Sequence, residues 1–224
     1  MLSLAEFLIR SASENIDAGT NELEHLLLYS LMRGINARTV IEIGTRRGHS
    51  GVWLARAIED NSGGRLFCID PFNGTHGSDG EYDQQHAKAR FARFGLSNYL
   101  ILPDLSRVAL PMFDDSSVDA AFIDGDHSYS GVSYDFSECK RIVRDGGLVM
   151  MHDISNVADV VRFVSELADR KERMLWLPGG LGGLAVYQKV EKKVADFLPL
   201  LDVPFQPSSF IARSIIYDGI LEGA

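Results

Sequence analysis

The sequence of 224 residues contains little cysteine, no long hydrophobic run and no excess of positive charge. Its two cysteines, Cys68 and Cys139, match no metal-binding or redox spacing, so we expect both to be small core residues of a cytoplasmic protein. The apolar run within residues 1–15 contains Glu6 and Arg10 and is too short for a signal peptide or a membrane span. With 22 Lys and Arg against 31 Asp and Glu, the formal charge of −9 argues against nucleic acid and anionic membranes as partners.

The composition that remains, 46% hydrophobic and 24% charged residues, is typical of a globular domain. Five short apolar runs have the character of strands buried on both faces, and helical patterns lie between them. These runs are residues 39–43, 65–69, 99–102, 119–123 and 147–151. The alternation predicts an α/β fold of the Rossmann-like, doubly wound type, with a mostly parallel sheet and helices on both faces. Two apolar arms around "PGGLGG" predict a C-terminal hairpin that adds an antiparallel strand.

We expect three regions along the chain. Residues 1–37 contain N-terminal helices that pack on the domain, and Asn21 with Glu24 has the spacing of a capping box at the start of one of them. Residues 38–190 contain the strands and form the main domain. Residues 191–224 are too apolar for a solvated tail, so we expect them to pack on the domain or to form a homo-oligomer contact.

The turn after the first strand, in "VIEIGTRRGHS" at residues 40–50, lies at the switch point where open parallel sheets bind their ligands. Gly44 and Gly48 permit a tight bend, and Ser50 begins the next helix, where its hydroxyl and free N–H groups could bind an anion. The G-x-G-x-x-G fingerprint of dinucleotide folds is absent. Glu42 stands before the turn, where its carboxylate would repel a diphosphate and attract an ammonium group.

The second strand ends in Asp70, whose carboxylate can accept hydrogen bonds from the vicinal hydroxyls of a ribose. Together with Glu42, it indicates a ligand with an amino acid at one end and a ribose at the other. On these residues the chain resembles the class I S-adenosylmethionine-dependent methyltransferases, particularly the branch whose first strand reads E-I-G-T-x-x-G-x-S. "FIDGDHSYSGVSYDF" at 122–136 and "DGGLVMMHDI" at 145–154 are similar to the strand-four and strand-five segments of that branch.

The resemblance covers about residues 38–190 and implies that they bind S-adenosylmethionine. It assigns the methionine half to Gly44, Thr45 and Ser50, the amino group to Glu42, the ribose to Asp70, and the adenine to Asp104 or Ser106. Asp124 is a further candidate for facing the cofactor. Arg46 and Arg47 are expected to be solvated rather than functional.

Polar side chains also end the fourth and fifth strands, which should be neighbours in the sheet. Asp124 follows the fourth strand, and His152 and Asp153 end the fifth, so the three could converge beside the reacting methyl group. In metal-dependent O-methyltransferases of the catechol and macrolide-sugar types, matching positions hold magnesium, and the macrolide-sugar type has a histidine base at the position of His127. Because an imidazole ligand suits manganese better than magnesium, we leave Mg, Mn and a metal-free site open.

The resemblance implies an enzyme that transfers a methyl group from S-adenosylmethionine to a hydroxyl of a small molecule, such as a sugar or phenol of secondary metabolism. His127 would be the general base, with possible help from a divalent metal. Two alternatives remain: a nucleotide-cofactor oxidoreductase on a Rossmann fold, and a non-catalytic S-adenosylmethionine-binding protein. The glycine-rich, acidic segment 72–86 is expected to be either a mobile lid over the site or a solvated loop.

Overall fold

The computed structural model of the protein describes residues 2–12, 22–74, 80–170, 172–177 and 182–190. The helices are α1 (Leu4–Ala12), α2 (Glu22–Gly34), α3 (His49–Asp60), α4 (Glu81–Arg93), α5 (Ser106–Ala109), α6 (Tyr129–Ile142) and α7 (Ala158–Asp169), with a 3₁₀ turn at Leu110–Met112. The strands are β1 (Thr39–Ile43), β2 (Arg65–Ile69), β3 (Tyr99–Leu102), β4 (Val118–Ile123), β5 (Val143–His152), β6 (Met174–Leu177) and β7 (Leu184–Gln188).

The strands form one seven-stranded sheet in the order β3-β2-β1-β4-β5-β7-β6. The five strands from β3 to β5 are parallel, while β7 is antiparallel to both β5 and β6. The predicted fold class, including the antiparallel C-terminal hairpin, is therefore confirmed. Strand β5 begins at residue 143, four residues before the predicted start at 147. The reason is that Val143 already pairs with Val118 of β4, and the register then shifts before Ala120.

Each face of the sheet carries a hydrophobic core. On one face α1, α2 and α3 pack together, and Phe7 meets Trp53 edge to face with ring centroids 5.0 Å apart. On the other face α6 and α7 cover the sheet, where Phe136 lies between Phe163 and Tyr187. Cys68 and Cys139 are free and buried, in agreement with their prediction as core residues. None of the described helices is long and apolar enough to cross a bilayer.

Two expectations fall partly or wholly outside the described residues. The packing of residues 191–224 is one, and the central part of the segment 72–86, residues 75–79, is the other. The end of that segment is helical, since α4 begins at Glu81. Asp83 in its first turn is completely buried, so this part is not a solvated loop, and a mobile lid stays a prediction.

Candidate active site

The register of the parallel strands brings the candidate residues to one edge of the sheet. Ile43 of β1 pairs with Ile69 of β2 and with Ile123 of β4, and Ile123 pairs with Met151 of β5. The residues that follow these four are Gly44, Asp70, Asp124 and His152. They stand side by side at the carboxyl ends of adjacent strands, which is where open α/β sheets bind ligands.

Glu42 lies under this edge and is completely buried. Thr45 donates its hydroxyl to Glu42 Oε2 at 2.9 Å, and Ser50 donates to Oε1 at 2.6 Å. Burial raises the pKa of Glu42 to about 7, and the two hydrogen bonds oppose that rise. The structure thus differs from the expectation that the Ser50 hydroxyl is available to an anion, because that hydroxyl is bound to the carboxylate.

Position 44 has to be glycine because the ends of β1 and β4 come close together there. Its φ of +90° is unfavourable for other residues, and a Cβ atom there would collide with the main-chain oxygen of Asp124. Gly51, in the first turn of α3, has a similar role toward Glu42, because its Cβ would lie 2.8 Å from Oε2. The glycines therefore let β1, β4 and α3 meet around Glu42.

Asp70 is anchored by main-chain donors. Its Oδ2 accepts the N–H of Arg46 at 2.7 Å, and its Oδ1 accepts the N–H of Phe72 at 2.8 Å. Both donors have positive φ, 45° and 46°, so the carboxylate stabilises two strained positions. Burial raises the pKa of Asp70 and these hydrogen bonds oppose the rise. Each oxygen can accept a further hydrogen bond, as a ribose diol would require.

The arginines of the turn are not equivalent. Arg46 has a half-exposed side chain, as expected, and its Nε lies 3.9 Å from Asp83 Oδ2, whereas Arg47 donates from Nε to Asp83 Oδ1 at 2.6 Å. The Arg47 carbonyl also accepts a hydrogen bond from Arg90 Nε at 3.0 Å. The prediction that Arg47 is solvated was wrong, because the buried Asp83 of α4 pairs with it and ties α4 to the turn.

The two adenine candidates lie in the loop after β3 and at the start of α5. The Asp70 N–H donates to the carbonyl of Leu102, the last residue of β3, which places the loop after β3 beside the end of β2. Asp104 in that loop is exposed, with Oδ1 accepting the N–H of Leu105, and Ser106 begins α5.

The ends of β4 and β5 form a cluster of two histidines and two aspartates. His127 Nε2 lies 3.0 Å from Asp153 Oδ2 and 3.4 Å from Asp124 Oδ1. His152 Nδ1 lies 3.4 Å from Asp124 Oδ1 and 3.3 Å from Asp153 Oδ1. The structure therefore brings together the four residues that the sequence placed on the reacting side.

Charge governs protonation in this cluster. Contacts with Asp124 and then Asp153 raise the pKa of His127 to about 10. Burial alone would lower the pKa of His152, but its carboxylate contacts outweigh burial and raise it to about 12. Burial alone would raise the pKa of Asp153, and the two histidines outweigh it and lower that pKa. The imidazolium rings thus compensate the carboxylates in this arrangement.

A divalent cation is a second way to compensate the same carboxylates. Asp124, His152 and Asp153 each offer one ligand atom, and these atoms lie within 4.8 Å of one another. His152 Nδ1 is buried and forms no hydrogen bond, although two carboxylate oxygens lie near it. Two oxygens and one imidazole nitrogen fit manganese better than magnesium. The residues present therefore fit a metal.

Glu24 of α2 also reaches the cluster, which the sequence analysis missed. Its Oε2 lies 3.4 Å from His152 Nε2, and its Oε1 accepts the N–H of Gly183 at 3.0 Å. The side chain is buried beside His152, and the capping box predicted for it with Asn21 lies partly outside the described residues. A carboxylate within a leucine-rich helix is the only sequence signal that pointed to a special role.

Comparison with known proteins agrees with this geometry. The O-methyltransferase TomG of Streptomyces achromogenes, involved in tomaymycin synthesis and solved in complex with S-adenosylmethionine, superimposes with a TM-score of 0.64 and 22% identity over 85% of this chain and 92% of that one. An O-methyltransferase of Bacillus cereus, solved with S-adenosylhomocysteine, superimposes with a TM-score of 0.62 and 22% identity, and the match covers 83% of this chain and 90% of that one. The doubly wound fold is thus shared with these two O-methyltransferases.

The family follows from the sequence itself. Residues 41–154, just over half of the chain, match a family described as a methyltransferase domain, and the chain belongs to it. A curated relative with an O-methyltransferase name, from Mycobacterium sp. (strain JLS), is 28% identical over 128 residues. That match covers 56% of this chain, and the chain spans about half of the relative, 53%. The predicted resemblance to methyltransferases is confirmed.

Proposed function

We propose that the protein transfers a methyl group from S-adenosylmethionine to a hydroxyl of a small molecule. The observation that carries the proposal is the row of strand ends, where Glu42 and Asp70 suit the two halves of the cofactor and the His127 cluster stands two strands away from Asp70. The O-methyltransferase names of TomG and the Bacillus cereus protein support the same reaction class.

The cofactor would lie along this row. Glu42, whose pKa near 7 lets it ionise at little cost, faces the amino group of the methionine half, and the turn of Gly44, Thr45 and Ser50 surrounds that half. Asp70 accepts the ribose hydroxyls, and Asp104 or Ser106 meets the adenine. In this arrangement the sulfonium would lie next to Asp124.

Methyl transfer from a sulfonium is an in-line displacement, so the protein has to align the acceptor and remove its proton. His127 is the proposed base because its side chain is 40% exposed, and with Nε2 facing Asp153 and Asp124 its Nδ1 would take the proton. A divalent cation held by Asp124, His152 and Asp153 would lower the pKa of the acceptor hydroxyl and neutralise the carboxylates that otherwise keep His127 protonated. Asp124 and Asp153 also orient the imidazole through its Nε2.

Several finer points belong to this proposal. The acceptor is a small molecule, with a sugar or phenol of secondary metabolism as the first candidates, and neither nucleic acid nor a membrane is a partner, which the negative charge supports. A cytoplasmic location is supported by two free, buried cysteines. A homo-oligomer contact through residues 191–224 remains a prediction.

The test is incubation with methyl-labelled S-adenosylmethionine, a panel of sugars and phenols, and a panel of divalent ions. Label in an acceptor, with S-adenosylhomocysteine formed in equal amount, is the expected result. Thermal shift with S-adenosylhomocysteine and with NAD provides the control, because only a ligand that binds the folded state raises the melting temperature. Stabilisation by NAD alone would favour an oxidoreductase, and cofactor binding without transfer to any acceptor would favour a non-catalytic binding protein.

A further inference from the structure

Glu24 belongs to a helix that precedes the region matched by the methyltransferase family, yet its carboxylate lies within the reacting cluster. Glu24 is only 6% exposed, and His152 beside it is 4% exposed. The two residues are 128 positions apart in sequence and meet where Glu24 of α2 reaches the last residue of β5 and the residue before β7. A buried carboxylate at this position has a desolvation cost that a specific role would explain.

The two nitrogens of His152 face different partners. Nδ1 faces the oxygens of Asp124 and Asp153, while Nε2 faces Glu24 Oε2 at 3.4 Å. An ionised carboxylate can only accept a hydrogen bond, so when a cation replaces one proton of the His152 imidazolium, Glu24 favours the tautomer that keeps its proton on Nε2. That tautomer directs the lone pair of Nδ1 toward the two aspartates, where a cation would bind.

The surroundings leave this arrangement little freedom. Glu24 Oε1 is held by the N–H of Gly183, and a Cβ at Gly182 would come within 2.9 Å of His152 Nε2. On another side the ring of Phe122 meets the His152 ring at a centroid distance of 6.3 Å and an angle of 70°. The carboxylate is thus held by the main chain before β7, and the imidazole lies close to the main chain at Gly182.

We propose that Glu24 is a positioning residue for a metal centre: it holds the proton of His152 on Nε2 so that Nδ1 serves as a metal ligand with Asp124 and Asp153. This inference rests on the metal-assisted form of the proposed function. It assigns α2 a part in the site and makes Glu24 the fourth side chain of the centre, acting through His152 rather than on the cation itself.

The first test is calorimetric titration of the purified full-length protein with Mn²⁺. Glu24→Gln keeps the shape and the Oε1 acceptor but removes the charge that fixes the tautomer, so its affinity should fall about 10- to 100-fold. Tyr29→Phe is the matched control, because it removes a 2.8 Å hydrogen bond from the same helix to Asp60, away from the cluster. It should bind Mn²⁺ like the wild type, and both variants should bind S-adenosylhomocysteine like the wild type.

The second test needs no variant and therefore holds even if Glu24→Gln fails to fold. Long-range ¹H–¹⁵N correlation on ¹⁵N-histidine-labelled wild type, loaded with diamagnetic Zn²⁺, should show His152 protonated at Nε2 and metal-bound at Nδ1. The opposite tautomer, or equal Mn²⁺ affinity in folded Glu24→Gln, would overturn the inference. Failure of the wild-type protein to bind any divalent metal would also overturn the inference. If that metal-free protein still transferred methyl groups, the proposed function would stand without a metal.

Discussion

Ser50 donates its hydroxyl to Glu42 at 2.6 Å, and the carboxyl that receives it is completely buried. The hydrogen bond stabilises the ionised form, yet burial is the larger effect and raises the pKa of Glu42 from 4.5 to about 7. A group with a raised pKa stabilises the fold below its unfolded pKa and loses that contribution as the pH rises through its folded pKa. The contribution of Glu42 to the stability of the free protein should therefore fall as the pH rises from 4.5 to about 7, and it should stay lost at higher pH.

The variant Glu42→Gln isolates this effect. The difference in unfolding free energy between wild type and variant should shift by roughly 3 kcal/mol in favour of the variant between pH 4.5 and pH 8, since each pKa unit corresponds to about 1.36 kcal/mol. Urea unfolding at a series of pH values measures it. Glu81→Gln, on an exposed residue, is the control and should run parallel to the wild type. A pH-independent difference would mean that Glu42 is ionised throughout.

The same carboxyl predicts proton release when the cofactor binds. An ammonium group near Glu42 favours the carboxylate, so binding of S-adenosylhomocysteine at pH 6 should expel up to about one proton from this site. Calorimetry in two buffers of different ionisation enthalpy gives the number of protons. Glu42→Gln should release fewer protons and bind more weakly. Equal proton release by the variant would place the amino group elsewhere.

Asp70 should be important for both the cofactor and the turn. Asp70→Ala removes charge-assisted hydrogen bonds of about 1.5–3 kcal/mol, which corresponds to at least a tenfold loss of affinity for S-adenosylhomocysteine. It also leaves the N–H groups of Arg46 and Phe72 without their acceptor, so the melting temperature should fall as well. Asp70→Asn keeps one acceptor and separates the two effects. Wild-type affinity in a folded variant would refute the ribose assignment.

The site residues that could be predicted from the sequence share one property, their place at the carboxyl end of a strand. Gly44, Asp70 and Asp124 each follow a buried apolar strand and His152 ends one, and parallel strands in register bring such residues to one edge. Glu24 escaped detection because its contact with His152 spans 128 positions and depends on how α2 packs. The ion pair of Arg47 was not predicted because its partner, Asp83, lies in a glycine-rich segment where the sequence did not indicate the start of a helix. Side-chain partners across elements follow from packing, which no local pattern encodes.

His127 should affect turnover far more than binding. Its main proposed interaction is made during proton transfer, so His127→Ala should lower kcat on the true acceptor by about 10²–10⁴-fold while the affinity for S-adenosylhomocysteine stays within a factor of a few. Steady-state kinetics and calorimetry supply the two values. His86→Ala, on an exposed histidine of α4, is the control and should behave like the wild type. Wild-type turnover in His127→Ala would make His127 a structural partner of Asp153.

The metal prediction rests on two carboxylates that face one another across His127 and His152. Asp124 and Asp153 would repel each other beside a sulfonium and an acceptor hydroxyl unless protons or a cation lie between them, and His152 Nδ1 adds a nitrogen ligand that manganese accepts more readily than magnesium. Treatment with a chelator should therefore reduce activity, and Mn²⁺ should restore it at lower concentration than Mg²⁺.

Asp153→Asn should impair that restoration more than it impairs cofactor binding, because it removes one charged ligand and leaves Glu42 and Asp70 untouched. Asp114→Asn, on an exposed turn, is the matched control and should regain full activity with Mn²⁺. Elemental analysis of the protein before and after chelation shows whether metal was present. Full activity after exhaustive chelation, with no metal detected, would eliminate the cation and leave His127 to remove the proton alone, with both aspartates acting only to hold its ring.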